Sequence, residues 1–235
     1  MDYNNMGRCV IINNEIFTSG DTKRCGTDVD AGALKETFEK LGYKVSVHKD
    51  LTRKQMRRLM QDVAEEDHSK KSSFVCAILS HGTEEGIMAT DKLITLEELT
   101  SYIKGDECRS LCGKPKLFFL QACRGTDVDV GVDAVDAAPP PTKKMIPIEA
   151  DFLYAYATPP GYYAWRNECN GSWFIQSLCD ILPRHKHREL MQIMTRVNRK
   201  VAYDFQSCSS KMAYDAKKVV PCITSMLTKD FYFAK

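Results

Sequence analysis

The chain has 235 residues, 43% hydrophobic and 27% charged, with a formal net charge of +2; this is the balance of an ordinary globular protein and argues against a nucleic-acid partner. No apolar run approaches the roughly 18 residues needed to span a bilayer, and Met1-Asp2-Tyr3-Asn4-Asn5 has no apolar leader core, so no membrane association and a cytoplasmic location are expected. The ten cysteines are scattered. Without a secretory leader they read as small buried hydrophobes (Cys76, Cys179 and Cys222 lie in apolar segments), not as a disulfide framework. Cys108 with Cys112, and His185 with His187, are the close pairs; neither completes a four-ligand metal set, so no metal or other cofactor is expected.

In chain order, Arg8 to Ile12 reads as a first strand and residues 13 to 28 as a polar loop. A helix follows, with Thr27 and Asp30 as a capping pair and Ala31, Leu34, Phe38 and Leu41 on one face; Gly42 ends it. Tyr43 to Val47 alternates like a strand. Thr52 and Gln55 form a capping box in front of a stripe of Met56, Leu59, Met60 and Val63, with Leu51 as a staple. Phe74 to Ser80 is a buried strand ending at His81. Thr95 and Glu98 repeat the capping device, and Lys116 to Leu120 is a strand ending near Cys123. The alternation predicts a mostly parallel α/β sheet of about six strands with helices on both faces. In such a sheet His81 and Cys123 share one edge. Residues 126–147, acidic and then Pro-rich, form an unusually long connection. Beyond it come a strand over Asp151 to Ala157, a helix capped by Ser172 and a longer helix from about His187 to Phe205. Val219 to Leu227 closes the chain as a strand that Pro221 moves toward an edge, where a second copy of the chain could cover it.

A thiol attacks as thiolate, and a free cysteine is mostly protonated at neutral pH, so a nucleophilic Cys123 needs a base. His81 is the candidate. The backbone N–H groups of Gly82 and Cys123 are candidates for an oxyanion site. Arg24, Gln121 and Arg166 are long donors that could converge on a carboxylate. The remaining histidines, His48, His68, His185 and His187, sit in polar surroundings and are expected to be solvated. Arg124 is expected in a buried ion pair.

The stretches Arg24-Cys25-Gly26-Thr27-Asp28-Val29-Asp30, Ser80-His81-Gly82, Gly113-Lys114-Pro115-Lys116-Leu117, Gln121-Ala122-Cys123-Arg124-Gly125, Ala150 to Tyr154, Tyr163-Ala164-Trp165-Arg166-Asn167 and Gly171 to Phe174 together resemble the caspases, and specifically their executioner branch. The resemblance implies a caspase-like fold and a cysteine endopeptidase that cuts after aspartate, with an Asp-x-x-Asp preference, in apoptosis. It implies Cys123 and His81 as the dyad, with the Thr22 carbonyl orienting the imidazole. Arg24, Gln121 and Arg166 would bind the substrate aspartate. Tyr163, Trp165 and Tyr214 would wall the adjoining pocket, with a backbone contact at Ala164, and Asn167 and Trp173 would shape the outer pocket. Cys208 and Ser210 stand where the family usually has phenylalanine, which weakens the outer aspartate preference.

The resemblance also implies a zymogen. Residues 1–136 would form the large subunit region, 126–147 a cleavable linker and 148–235 the small subunit region. Cleavage is expected after Asp136, with Asp133 and Asp129 secondary. Expected partners are protein substrates with exposed Asp-containing loops, a second copy paired through the final strand, an upstream initiator caspase and inhibitor-of-apoptosis proteins. Two other readings make different demands on these residues. An inactive homologue that regulates other caspases by binding should lack Cys123 or His81. A related peptidase with Asn or Arg/Lys specificity should lack Arg24 and Arg166.

Overall fold

A computed structural model describes residues 5–18, 20–124, 147–167, 170–208 and 214–233. The chain runs β1 (Asn5–Asn13), α1 (Thr27–Lys40), β2 (Tyr43–Lys49), α2 (Arg53–Glu65), β3 (Lys71–Leu79), β4 (Ile87–Met88), β5 (Leu93–Ile94), α3 (Leu96–Thr100) and β6 (Lys116–Gln121). It continues with β7 (Phe152–Tyr156), β8 (Arg166–Asn167), β9 (Gly171–Ser172), α4 (Trp173–His185), α5 (Leu190–Asp204) and β10 (Cys222–Ser225). Six strands form the central sheet in the order β10-β7-β6-β3-β1-β2, parallel except for β10, which runs antiparallel to β7 at the edge. The predicted sheet is therefore present, with helices on both faces.

Both faces of the strands are buried, so successive residues feed two cores. Cys9, Ile11, Val75, Ala77, Leu117 and Phe119 pack with α1, α4 and α5. Val10, Ile12, Phe74, Cys76, Phe118 and Leu120 pack with α2 and α3. Gly7 shows how tightly β1 and β3 approach: its φ is +122° and a Cβ there would overlap the Ser73 carbonyl oxygen. Gly7→Ala is expected to cost about 3 kcal/mol and lower Tm by several degrees in a thermal melt, because neither strand can withdraw from the sheet centre.

The predicted elements stand with local corrections. Thr52 and Gln55 do form a reciprocal capping box at α2. Thr27 and Asp30 do not cap α1. Its N-cap is Gly26, with no side-chain bond; Thr27 Oγ1 instead donates to Asn13 Oδ1 at 2.7 Å, and Asp30 accepts from Ser172. Ser172 occupies the N-cap position of α4 without capping it, since its hydroxyl donates to Asp30. Thr95 accepts from the Glu98 N–H, but α3 is only five residues long, and the Glu98 carboxylate pairs with Arg53 at 2.8 Å. The helix predicted from His187 begins at Leu190, where Glu189 caps Met191 N–H at 2.7 Å. The last strand is shortened to the four residues after Pro221. The β4–β5 hairpin was not predicted. His68 is fully buried, not solvated: its Nε2 donates to Val63 O at 2.7 Å and its ring packs against Phe74.

Candidate active site

The sheet order reverses at β1: β2 lies on one side of it and β3, β6 and β7 on the other. A crevice opens beyond the carboxyl ends of parallel strands at such a point. The loop after β1 carries Thr22 and Arg24, β3 leads into His81 and Gly82, and β6 ends at Gln121, two residues before Cys123. The Ser80 N–H donates to Gln121 O at 3.1 Å and ties the last two strand ends together. Gly82 is required by proximity, because a Cβ there would lie 2.6 Å from Cys123 O and 2.9 Å from Ala122 Cβ.

His81 Nε2 lies 2.7 Å from Thr22 O. A carbonyl oxygen can only accept, so Nε2 carries the proton and Nδ1 is left as the basic nitrogen. Burial holds the imidazole below its ordinary pKa; the Thr22 bond opposes this, while Arg24 and Arg166 add to it. Burial pushes the Cys123 thiol up, and the Ala164 N–H, Arg24 and Arg166 pull it back. Both shifts favour the neutral forms, thiol and imidazole.

Arg24 is 1% exposed. It donates to Asn14 O at 3.2 Å and Thr27 Oγ1 at 2.7 Å. Burial, and after it the neighbouring Arg166 cation, lower its pKa to about 9. Arg166, on β8, donates to Cys25 O at 2.9 Å. The carboxylate near both cations, Asp30, is already engaged by the Ser172 N–H at 2.8 Å and by the Ser172 hydroxyl. Two guanidiniums thus act together on the Cys123 thiol and the His81 imidazole. Gln121, the last residue of β6, is buried, with no hydrogen-bond partner for Oε1.

An aromatic wall continues from the guanidiniums. Tyr163 meets Trp165 edge-on at 5.4 Å, Trp165 stacks on Trp173 at 5.4 Å, and Trp173 stacks on Phe205 at 5.4 Å. Tyr214 is half exposed and electrostatically coupled to Tyr163. Ala164 is buried, and Asn167 is exposed on β8, where its Oδ1 accepts from Asn170 N–H at 2.9 Å. Phe205 ends the helix that the period predicts and caps α5; that it completes this stack depends on a fold contact invisible to periodicity. The structure therefore gathers His81, Cys123, Arg24, Arg166 and Tyr163 into one electrostatic neighbourhood. Gly125, Asp129, Asp133, Asp136 and Ser210 lie outside the described residues.

Arg124 corrects an expectation. Its guanidinium lies 4.0 Å from the Tyr156 ring centroid, and among the described residues it makes a cation–π contact instead of an ion pair. Its N–H donates to Tyr162 O at 3.1 Å and its O accepts from Gly161 N–H at 2.7 Å, so it braces the loop after β7 against the one after β6. No group of three or more His, Cys, Asp or Glu side chains is placed to hold a metal among the described residues.

The caspase domain family matches residues 6–232. The chain is a caspase. It is 56% identical to caspase-3 of Bos taurus, 57% to that of Mesocricetus auratus and 55% to that of Mus musculus, in each case over 99% of this chain and 86% of the relative. The caspase-1 crystal structure from Spodoptera frugiperda superposes with a TM-score of 0.92 at 38% identity, covering 100% of this chain and 94% of that one. This caspase is an aspartate-specific cysteine protease of the apoptotic executioner type. As a caspase it acts on protein substrates and belongs to a family that dimerises. No helix among the described residues is long and apolar enough to cross a membrane.

Proposed function

We propose that Cys123 is the nucleophile and His81 the general acid/base of this protease. With both groups neutral at rest, the proton passes from Sγ to His81 Nδ1 as sulfur attacks the carbonyl carbon. The Gly82 and Cys123 N–H groups receive the oxyanion. The C–N bond breaks, the amine leaves with the proton from His81, and water hydrolyses the thioester. Thr22 holds the imidazole tautomer. Arg24, Gln121 and Arg166 bind the aspartate before the scissile bond. Tyr163, Trp165 and Tyr214 wall the adjoining pocket, Ala164 contacts the substrate backbone, and Asn167 and Trp173 border an outer pocket that favours a second aspartate.

The observation that carries this reading is the buried Arg24 beside Arg166, with Asp30, the carboxylate near both, hydrogen-bonded to Ser172, at the same strand ends as Cys123. Turnover of an Asp-Glu-Val-Asp reporter, beside Val- and Ile-led peptides, tests it with Cys123→Ala as control. Loss of turnover in the variant is expected; turnover that persists in Cys123→Ala would overturn the assignment.

The same reading extends to assembly. The chain is a cytoplasmic zymogen whose large and small subunit regions, 1–136 and 148–235, are separated by cleavage after Asp136, with Asp133 and Asp129 secondary. An upstream initiator caspase makes the first cut. Two heterodimers pair through β10, an outer strand of the sheet with exposed Thr224 and Ser225. Inhibitor-of-apoptosis proteins are the expected regulators.

A further inference from the structure

Phe17 is nearly buried, at 9% exposure, yet it belongs to neither of the two cores. Its ring centroid lies 4.8 Å from that of His81, with the planes tilted by 48°. The short segment that carries it is fixed on both sides. Asp50 Oδ1 accepts the N–H groups of Glu15 at 2.7 Å and Ile16 at 2.9 Å. Asp50 itself has a left-handed φ of 53°, and its N–H donates to Asn13 O at 3.0 Å. Beyond Phe17, the Thr18 N–H and hydroxyl both donate to Thr90 O, at 2.7 and 2.9 Å. Arg24 N–H donates to Glu15 O at 3.0 Å, which ties this segment to the buried cation.

An apolar side chain outside both cores, on a loop pinned from two other loops, is more restrained than packing alone requires. Its neighbour explains the restraint. The Thr22 carbonyl fixes which His81 nitrogen holds the proton, but a single hydrogen bond leaves the imidazole free to pivot about that bond. A ring packed at 4.8 Å removes that freedom. We propose that Phe17, held in place by Asp50 and Thr90, is a positioning residue that fixes the plane of His81 so that Nδ1 stays aimed at the thiol. The inference rests on His81 being the general base. Proton transfer is steep in geometry, and a misplacement of about 1 Å can cost on the order of 100-fold.

Phe17 also shields the imidazole. Burial is the largest influence lowering the His81 pKa; Arg24 and Arg166 lower it further, while the Thr22 bond and Asp21 oppose. Removing the ring hydrates the imidazole and raises its pKa. A base must be neutral to act, so the acid limb of kcat/KM then moves to higher pH.

The test compares Phe17→Ala, Phe17→Leu and Phe17→Tyr with the parent enzyme and His81→Ala, measuring kcat, KM and the pH profile on the Asp-Glu-Val-Asp reporter. Phe17→Ala is expected to lose roughly 10- to 100-fold in kcat with KM nearly unchanged and the acid limb displaced upward. Phe17→Tyr, which keeps the ring, should restore kcat to within about three-fold of the parent, because the contact is between the two rings. Phe17→Leu fills the space without a flat ring and should stay impaired; it decides the matter if Phe17→Ala does not fold. Parental kcat and acid limb in Phe17→Leu, or an unmoved acid limb in a folded Phe17→Ala, would overturn the proposal. Full activity in His81→Ala would instead sink the assignment of the base.

Discussion

A reporter ending in asparagine instead of aspartate is expected to be cleaved about 10⁴-fold less efficiently, although the two side chains have nearly the same shape. The discrimination comes from what the pocket lacks. Arg24 is buried, and it holds its proton less tightly than usual because burial and the neighbouring Arg166 cation both disfavour its charge. Each guanidinium has some of its donors occupied by protein oxygens, Asn14 O and Thr27 Oγ1 for Arg24 and Cys25 O for Arg166. The nearby carboxylate, Asp30, is turned to Ser172. An aspartate side chain supplies the missing charge through charge-assisted bonds; an asparagine brings no charge and directs an amide N–H at cationic donors. A paired comparison of kcat/KM for Asp-Glu-Val-Asp and Asp-Glu-Val-Asn peptides measures the ratio directly on the unaltered enzyme. A ratio below about 100-fold, which a shape-selective pocket alone can reach, would mean that the two guanidiniums do not face the substrate.

Much of the framework was legible because its signals are local or strictly periodic. The apolar run within Arg8 to Ile12 marks a strand, and β1 is that strand, buried on both faces. The box of Thr52 and Gln55 is closed within four residues and needs nothing else from the fold. Strand ends that carry His81 and Cys123 follow from the parallel order, and so does their shared edge.

The misreadings are polar side chains taken by distant partners. Thr27 and Asp30 have the spacing of a cap, but Asn13 and Arg24 claim the threonine and Ser172 the aspartate. Local propensity loses there because these side chains surround the two guanidiniums, and sites are where local rules give way. Ser172 and Asp30 are 142 positions apart, and no window on the sequence joins them. Phe17 carries no local signal for the same reason: it lies in a stretch whose polarity reads as loop, and only the fold brings His81 to its ring. Arg124 needed a ring, Tyr156, that arrives from the next strand of the sheet.

Gly82→Ala is expected to lower kcat by about 10²- to 10³-fold, the scale of losing one oxyanion donor, while KM on the same reporter changes little. The added methyl would meet Cys123 O at 2.6 Å, Ala122 Cβ at 2.9 Å and Gly86 O at 3.2 Å. The first two belong to the chain leaving β6, and Ser80 N–H to Gln121 O holds that chain against the end of β3. Relief therefore requires residues 81–82 to move away from residues 122–123, which separates His81 and the Gly82 N–H from the thiol in one step. The cations proposed to bind aspartate stand on the loop after β1 and on β8, outside that displacement, so ground-state binding is expected to survive and the loss to fall on kcat. Gly7→Ala is the matched control: its Cβ would overlap Ser73 O, a severe clash at the opposite end of the parallel strands. It should lower Tm without a comparable loss of kcat. Equal kcat losses in the two variants would assign the effect to backbone distortion in general, and parental kcat in a folded Gly82→Ala would remove Gly82 from the oxyanion site.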